Sequence, residues 1–95
     1  MKIDSEDTRK ALVAFVIEKS LLKISKTALD EVSNVLYEEH HCYLGDCYEH
    51  PEYLTKALKG LFGKSHSIIV ESIKKELDGF VEHKPIEKFL KVISE

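Results

Sequence analysis

The stretch EHPEYLTKALKGLFGKSHSIIVESIKKEL, residues Glu49 to Leu77, predicts two helices and the turn between them. Its first half repeats apolar residues at the spacing of a helix with one buried stripe, namely Leu54, Ala57, Leu58, Leu61 and Phe62. Pro51 suits the first turn of this helix, because the N–H that proline lacks has no partner there. Gly63 is predicted to take the left-handed conformation that closes this helix, after which a second helix starts near Ser65. The apolar residues of that second helix fall at steps of four: Ile69, Ile73 and Leu77.

Two further helices are predicted on either side of this stretch. One begins near Ser25 or Thr27, runs to about His40, and has an apolar face of Ala28, Val32, Val35 and Leu36. Pro85 opens the other, whose stripe is Ile86, Phe89, Leu90 and Ile93. With one more helix at the N-terminus, about five short helices joined by short loops predict an all-α fold, a compact orthogonal bundle, with residues 1–95 forming a single domain.

The N-terminal helix has an unusual apolar content. It is expected to begin after Asp4 or Ser5, either of which can cap its first turn. Its predicted stripe consists of Leu12, Phe15, Val16 and Lys19. However, every residue from Ala11 to Ile17 is apolar, which is more than one stripe of a small bundle requires. The excess predicts a helix that is buried on most sides or that presents half of its surface to a partner.

Composition narrows the classes of partner. The 95 residues include 14 basic and 17 acidic side chains, for a net charge of -3, and Arg9 is the one arginine. Nucleic-acid binders collect lysine and arginine on one face, so a nucleic-acid partner is not expected. No apolar run approaches the ~18 residues of a membrane span, and the polar N-terminus does not resemble a secretory signal. We therefore expect a cytoplasmic protein with no membrane partner.

The segment HHCYLGDCYEHP, residues 40–51, is rich in histidine, cysteine and tyrosine and looks too irregular for a helix. Cys42, Cys47 and His50 form the pattern C-x4-C-x2-H, whose thiolate and imidazole groups are ligands that zinc takes. The spacing differs from that of known zinc sites, which pair two close ligands with a distant second pair. The alternative is that both cysteines are small apolar side chains that hold the loop on the core. On this second interpretation the protein has no cofactor.

The chain also shows a family pattern from Glu38 to Leu77. A turn carrying Leu44 and Asp46 is followed by Pro51 and Glu52 at a helix start, and then by these residues: Ala57, Leu58, Leu61, Phe62, Gly63, Val70, Glu71, Ile73, Glu76 and Leu77. This pattern resembles the Nitrososphaera output domain, a family of small archaeal helical domains of unassigned function. His41 stands where that family tends to have a helix-closing glycine. The resemblance implies an archaeal, intracellular protein with a role in signalling or regulated assembly and no known cofactor.

No nucleophile lies beside a plausible base in the sequence, so we do not expect an enzyme. The favoured hypothesis is a helical module that binds another protein or its own copy. The predicted contact residues are Val13 and Ile17, from the apolar run, and the loop aromatics Tyr48 and Tyr53, which alternatively close the core. The second hypothesis is a small metal-binding or redox-responsive domain that uses Cys42, Cys47 and His50.

Overall fold

The computed structural model describes residues 5–95, and their regular structure is helical. Five α-helices follow one another: α1 (Glu6–Leu22), α2 (Lys26–His40), α3 (Pro51–Phe62), α4 (His66–Leu77) and α5 (Lys84–Ile93). Three short 3-10 segments lie between them: Leu44–Tyr48, Gly63–Ser65 and Asp78–Phe80. Residues 5–95 contain no strand, so the predicted all-α fold is confirmed.

The division into separate helices needs a correction. Residues 51–80 are helical without a break, because 3-10 turns continue directly from the ends of α3 and α4. The long helical segments therefore number four in the described part of the chain, and the third of them turns at Gly63. The expectation of about five helices, separated by loops in an orthogonal bundle, is slightly off for this reason. None of the described helices is long and apolar enough to cross a membrane.

The helix starts are where the sequence places them. The Oγ of Ser5 accepts a hydrogen bond from the N–H of Thr8 at 3.1 Å, and the Oγ of Ser25 accepts one from the N–H of Ala28 at 3.0 Å. Each serine thereby satisfies an N–H that has no partner inside its helix. Prolines occupy the first turns of α3 and α5, as predicted. Asp4, the other predicted cap of α1, lies outside the described residues.

The end of α2 is formed by His41, which has φ 53° and ψ 38°. It is the one residue other than glycine with a positive φ in residues 5–95. Its N–H donates to the carbonyl of Tyr37 at 3.0 Å, and the N–H of Cys42 donates to the carbonyl of Leu36 at 3.2 Å. A histidine here takes the left-handed conformation that usually falls to glycine at helix ends. The turn directs the following residues back toward the core.

Burial follows the predicted stripes in three helices and departs from them in part of α3. The stripe of α5 is fully inside the protein, as are the three predicted residues of α4 and most of the α2 face. In α3, Leu54 and Leu58 have no exposed surface, whereas Leu61 is 36% exposed and Phe62 is only partly buried. Both of the latter lie in the last turn of α3, where the helix reaches the edge of the core. The buried part of α3 is thus shorter than its apolar stripe.

Candidate interaction surface

The two residues of α1 that were predicted to face a partner, Val13 and Ile17, face the core instead. Val13 and Ile17 are both 0% exposed, and they pack in the core beside Val16 and Leu21. The prediction that Val13 and Ile17 form an interaction surface is therefore wrong. A run of seven apolar residues covers nearly two helical turns, so it places apolar side chains on every side of the helix. Periodicity within the run cannot show which side is inside.

The opposite side of α1 keeps large apolar residues on the surface. Phe15 is 60% exposed and Leu22 is 46% exposed, although Phe15 was predicted to belong to the buried stripe. With Ala11 and Glu18, which are also exposed, they occupy positions spaced by four, three and four residues. This spacing puts all four side chains on one side of a helix. We refer to Ala11, Phe15, Glu18 and Leu22 as the outer face of α1.

A groove of about 240 Å³ lies on the outer face. It is lined by Phe15, Glu18, Leu22 and the neighbouring Lys19. These residues stand at i, i+3, i+4 and i+7, the four positions that surround an inserted side chain when helices pack knobs into holes. The groove therefore has the form that accepts a side chain from another helix.

The side of α1 next to the outer face is attached to α4. The Nζ of Lys19 lies 3.3 Å from Oε2 of Glu76, and the Nζ of Lys23 lies 3.4 Å from Oε1 of the same carboxylate. These two hydrogen bonds, that of Lys19 first, lower the pKa of Glu76. One helical turn before Glu76 in α4, the Oγ of Ser72 donates a hydrogen bond to the Oγ of the buried Ser20 in α1 at 3.2 Å. These contacts hold α1 against α4 and leave the outer face pointing away from α4.

The segment rich in histidine and cysteine is more ordered than expected, because Leu44–Tyr48 forms a 3-10 helix. The N–H of Tyr43 donates to Oδ2 of Asp46 at 2.8 Å, and Nζ of Lys10 in α1 lies 3.1 Å from Oδ1 of Asp46 and 3.6 Å from Oε1 of Glu49. The N–H of Tyr43 and then Lys10 lower the pKa of Asp46. The two contacts of Lys10 join the segment to α1, on a side of the helix away from the outer face.

The two cysteines of this segment are core residues. Cys42 is 6% exposed and Cys47 is 0% exposed. Burial raises the pKa of both thiols, most strongly that of Cys47, so the thiolate that binds metal or reacts with oxidants is disfavoured. His50 is exposed, and its Nδ1 lies 3.2 Å from Oε1 of Glu52. Residues 5–95 contain no group of three or more histidine, cysteine or acidic residues placed to hold a metal ion. The geometry therefore favours the interpretation of both cysteines as apolar anchors.

The double variant Cys42→Val and Cys47→Val tests this interpretation. We expect a folded helical protein whose free energy of unfolding changes by no more than about 1.5 kcal/mol, because valine fills a similar volume. In the native protein, we expect slow reaction of both thiols with an aromatic disulfide reagent and fast reaction after unfolding. We also expect no stoichiometric metal in protein purified without a tag. One zinc per chain by elemental analysis, lost together with the fold on adding a chelator, would contradict the interpretation.

The two loop tyrosines differ in their surroundings. Tyr48 is 9% exposed, and its hydroxyl oxygen accepts a hydrogen bond from the Nε of Arg9 at 2.8 Å. Tyr53 is partly buried, and its ring stacks on those of His40 and His50 at centroid distances of 4.0 and 4.8 Å. Tyr48 therefore closes the core, and its assignment to an interaction surface is wrong. Tyr53 keeps part of its side chain accessible among the rings of two histidines.

The sequence did not lead us to predict that Phe15 and Leu22 are surface residues. Glu18 lies between them on the same side of α1. Their spacing is visible in the sequence, but a second stripe with helical spacing runs through Val13, Val16, Ile17 and Leu21. The charge of Glu18, which lies on the side of Phe15 and Leu22, is a local signal that could have marked this side as exposed.

No protein-family model, curated protein or solved structure matches the chain.

Proposed function

We propose that this chain is a non-enzymatic helical module that binds a protein partner through the outer face of α1. The observation that supports the proposal is the exposure of Phe15 and Leu22 on one side of a single helix. Fully burying an exposed apolar side chain of this size contributes about 1.5–3 kcal/mol, and a partner that covers the face gains roughly half of this at each residue, since Phe15 is 60% and Leu22 46% exposed. Aromatic residues are also enriched where protein surfaces meet. The groove between Phe15 and Leu22 supplies a place for an inserted side chain.

The chemistry of the two cysteines supports the non-enzymatic part of the proposal. Cys42 and Cys47 are the cysteines of this sequence, and burial keeps both as thiols. A thiol is a much weaker nucleophile than a thiolate. The proposal extends to a role in signalling or regulated assembly in an archaeal cytoplasm. That extension rests on the resemblance of residues 38–77 to the Nitrososphaera output domain.

The variant Phe15→Glu tests the interaction surface. Since Phe15 is 60% exposed, a glutamate at this position is expected to leave the helical circular dichroism spectrum and the thermal midpoint nearly unchanged. The same charge on the outer face is expected to abolish capture of the partner from an extract of the source cells, measured by affinity purification and mass spectrometry. A matched control is Ile68→Glu, because Ile68 in α4 is 69% exposed and lies outside the outer face.

Two results would contradict the proposal. One is equal capture of the same proteins by the wild type and by Phe15→Glu. The other is equal loss of capture in Phe15→Glu and Ile68→Glu, since this would show a general effect of added charge rather than a defined surface.

A further inference from the structure

The exposed side of α2 is acidic along most of its length. Five exposed residues share this side of the helix: Asp30, Glu31, Asn34, Tyr37 and Glu38. They are spaced by steps of one and three residues, which places them within one side of a helix. The buried Val32 and Leu36 lie on the other side. We refer to the five exposed residues as the acidic face of α2.

The charge of this face is not balanced within the chain. Helix α2 contains four acidic residues and one lysine, so it alone accounts for the net charge of -3, and the remaining residues balance one another. The carboxylate of Glu76, by contrast, is paired with two lysines of α1. Among residues 5–95, Asp30, Glu31 and Glu38 form no ion pair. The acidic face therefore keeps its charge available for a cationic partner.

The last turn of α2 carries acidic residues in spite of the helix dipole. Glu38 and Glu39 directly precede the final residue of the helix, His40. The C-terminus of a helix has a partial negative charge, so acidic side chains there are unfavourable for stability. Residues that oppose a local rule of stability are expected at places where function gains from them. The stability of α2 thus gives no reason for Glu38, whereas a cationic partner does.

Two exposed tyrosines lie at this end of the acidic face. Tyr37 belongs to the face and is 52% exposed, and Tyr43, directly before the 3-10 helix, is 68% exposed. Their ring centroids lie 5.9 Å apart, and the ring of His41 packs edge-on against Tyr37 at 6.1 Å. A tyrosine ring attracts a cation placed over its face. Aromatic rings and carboxylates at one end of a helix therefore attract the same class of partner.

From these observations we propose that the acidic face of α2, together with Tyr43, binds a basic segment of another protein that contains arginine. The planar guanidinium of arginine stacks on tyrosine and donates two hydrogen bonds to one carboxylate, so it makes both interactions that the surface offers. Lysine supplies only a point charge. A metal ion is a poorer match, since residues 5–95 contain no group of three or more residues placed to hold one. The surface lies on a different helix from the outer face of α1, so this inference does not depend on the proposed function.

The length of the face sets the size of the bound segment. Asp30 and Glu38 are eight residues apart, which is about 12 Å along the helix. About four residues of extended chain cover this distance. Exposed ion pairs are individually weak and are screened by salt. We therefore expect a Kd on the order of 100 μM at low ionic strength, and weaker binding as salt is added.

Fluorescence anisotropy tests the proposal with a labelled peptide in which four arginines alternate with serines. At low ionic strength we expect saturable binding of this peptide to the wild type. We expect binding to weaken about threefold when lysine replaces arginine, because the stacked and bidentate contacts are lost. We expect no binding when glutamate replaces arginine, because like charges then meet. In an NMR titration with the arginine peptide, the amide signals of the acidic face and of Tyr43 are expected to shift.

Two variants of the surface and one matched control locate the binding. Glu31→Gln with Glu38→Gln removes two charges at nearly constant shape, and we expect the Kd to rise about tenfold. Tyr37→Leu removes the aromatic ring, and we expect a rise of about threefold. The control, Glu71→Gln with Glu87→Gln, makes the same change of net charge in α4 and α5, and its Kd is expected to stay within about twofold of the wild type.

Thermal unfolding separates lost binding from lost structure. Because Glu38 opposes the helix dipole, the variant Glu38→Gln is expected to keep or raise the thermal midpoint. A weaker affinity in this variant therefore cannot come from unfolding.

Four results would overturn the proposal. The first is the absence of saturable binding of the arginine peptide by the wild type at millimolar concentration. The second is equal weakening in the face variant and in the control, since this would show attraction by net charge alone. The third is equal affinity for the arginine and lysine peptides, and the fourth is an unchanged Kd in Tyr37→Leu. If Phe15→Glu keeps its captured partner while the arginine peptide still binds α2, only the proposed function is overturned.

Discussion

Replacement of Phe89 by alanine is expected to lower the free energy of unfolding by about 3–5 kcal/mol. Phe89 lies in α5, is 1% exposed, and belongs to the largest fully buried side chains of the core. Its removal both forfeits buried apolar surface and leaves a cavity that neighbouring side chains fill only in part. Because a domain of this size has a total stability of about 5–15 kcal/mol, the variant is expected to lose a large fraction of that stability. Urea titration followed by circular dichroism measures the change.

The chain supplies its own control for this measurement. Phe15→Ala removes the same atoms from a side chain that is 60% exposed, and its effect is expected to stay within about 0.5 kcal/mol. Phe62, which is partly buried at the end of α3, is expected to give an intermediate loss. Equal losses for Phe15 and Phe89 would contradict the assignment of the core and, with it, the existence of an exposed outer face.

The second large effect is expected at Gly63, where α3 ends. The predicted left-handed conformation is wrong in part, because the φ of 56° has the expected sign but the ψ of -130° lies far from the left-handed helical value. This combination is that of the first central residue of a type II′ turn, which glycine dominates. A Cβ at Gly63 meets no atom within 4 Å, so backbone strain alone opposes a side chain. Gly63→Ala is therefore expected to cost about 1–3 kcal/mol, measured by thermal or urea unfolding.

Gly60 is the matched position within the same helix. It is exposed, has an ordinary helical backbone, and a Cβ there also meets no atom within 4 Å. Gly60→Ala is expected to stabilise the protein by about 1 kcal/mol, since alanine loses less backbone entropy in a helix. The two glycine variants thus differ in the sign of their effect. A loss of stability at Gly60, or a gain at Gly63, would mean that α3 ends elsewhere.

The helix ends and most of the core could be predicted from local chemistry. Ser5 and Ser25 cap helices because a serine Oγ reaches the free N–H groups of the first turn, whatever surrounds the helix. The stripe of α5 is buried in full because all large apolar residues of this helix except Val92 fall on one side. A helix with a single apolar side has only one orientation that removes this side from water. In such segments, the sequence determines which residues are inside.

The conformation of the loop between α2 and α3 depends on contacts between residues that are far apart in the chain, so it could not be predicted from the sequence. Lys10 and Asp46 are separated by 36 residues, and their ion pair helps to hold the 3-10 helix Leu44–Tyr48 on α1. Local pattern carries no information about such a contact. For the same reason, the sequence left the roles of Cys42 and Cys47 open, while the tertiary structure places both thiols in the core.

The location of the candidate surface could not be predicted from the local sequence pattern alone. By itself, the sequence determined that α1 is a helix, that it is more apolar than a small bundle requires, and that it starts after Asp4 or Ser5, of which the structure shows Ser5 as the cap. It left open which side of α1 is free, because large apolar residues stand on both sides, Val13 and Ile17 on one and Phe15 and Leu22 on the other, with the charge of Glu18 as a weak local signal. Only the tertiary structure decided this, by packing α4 and the loop against one side of the helix. The physical reason is that the hydrophobic effect has no direction of its own, so that contacts with distant residues select the buried side.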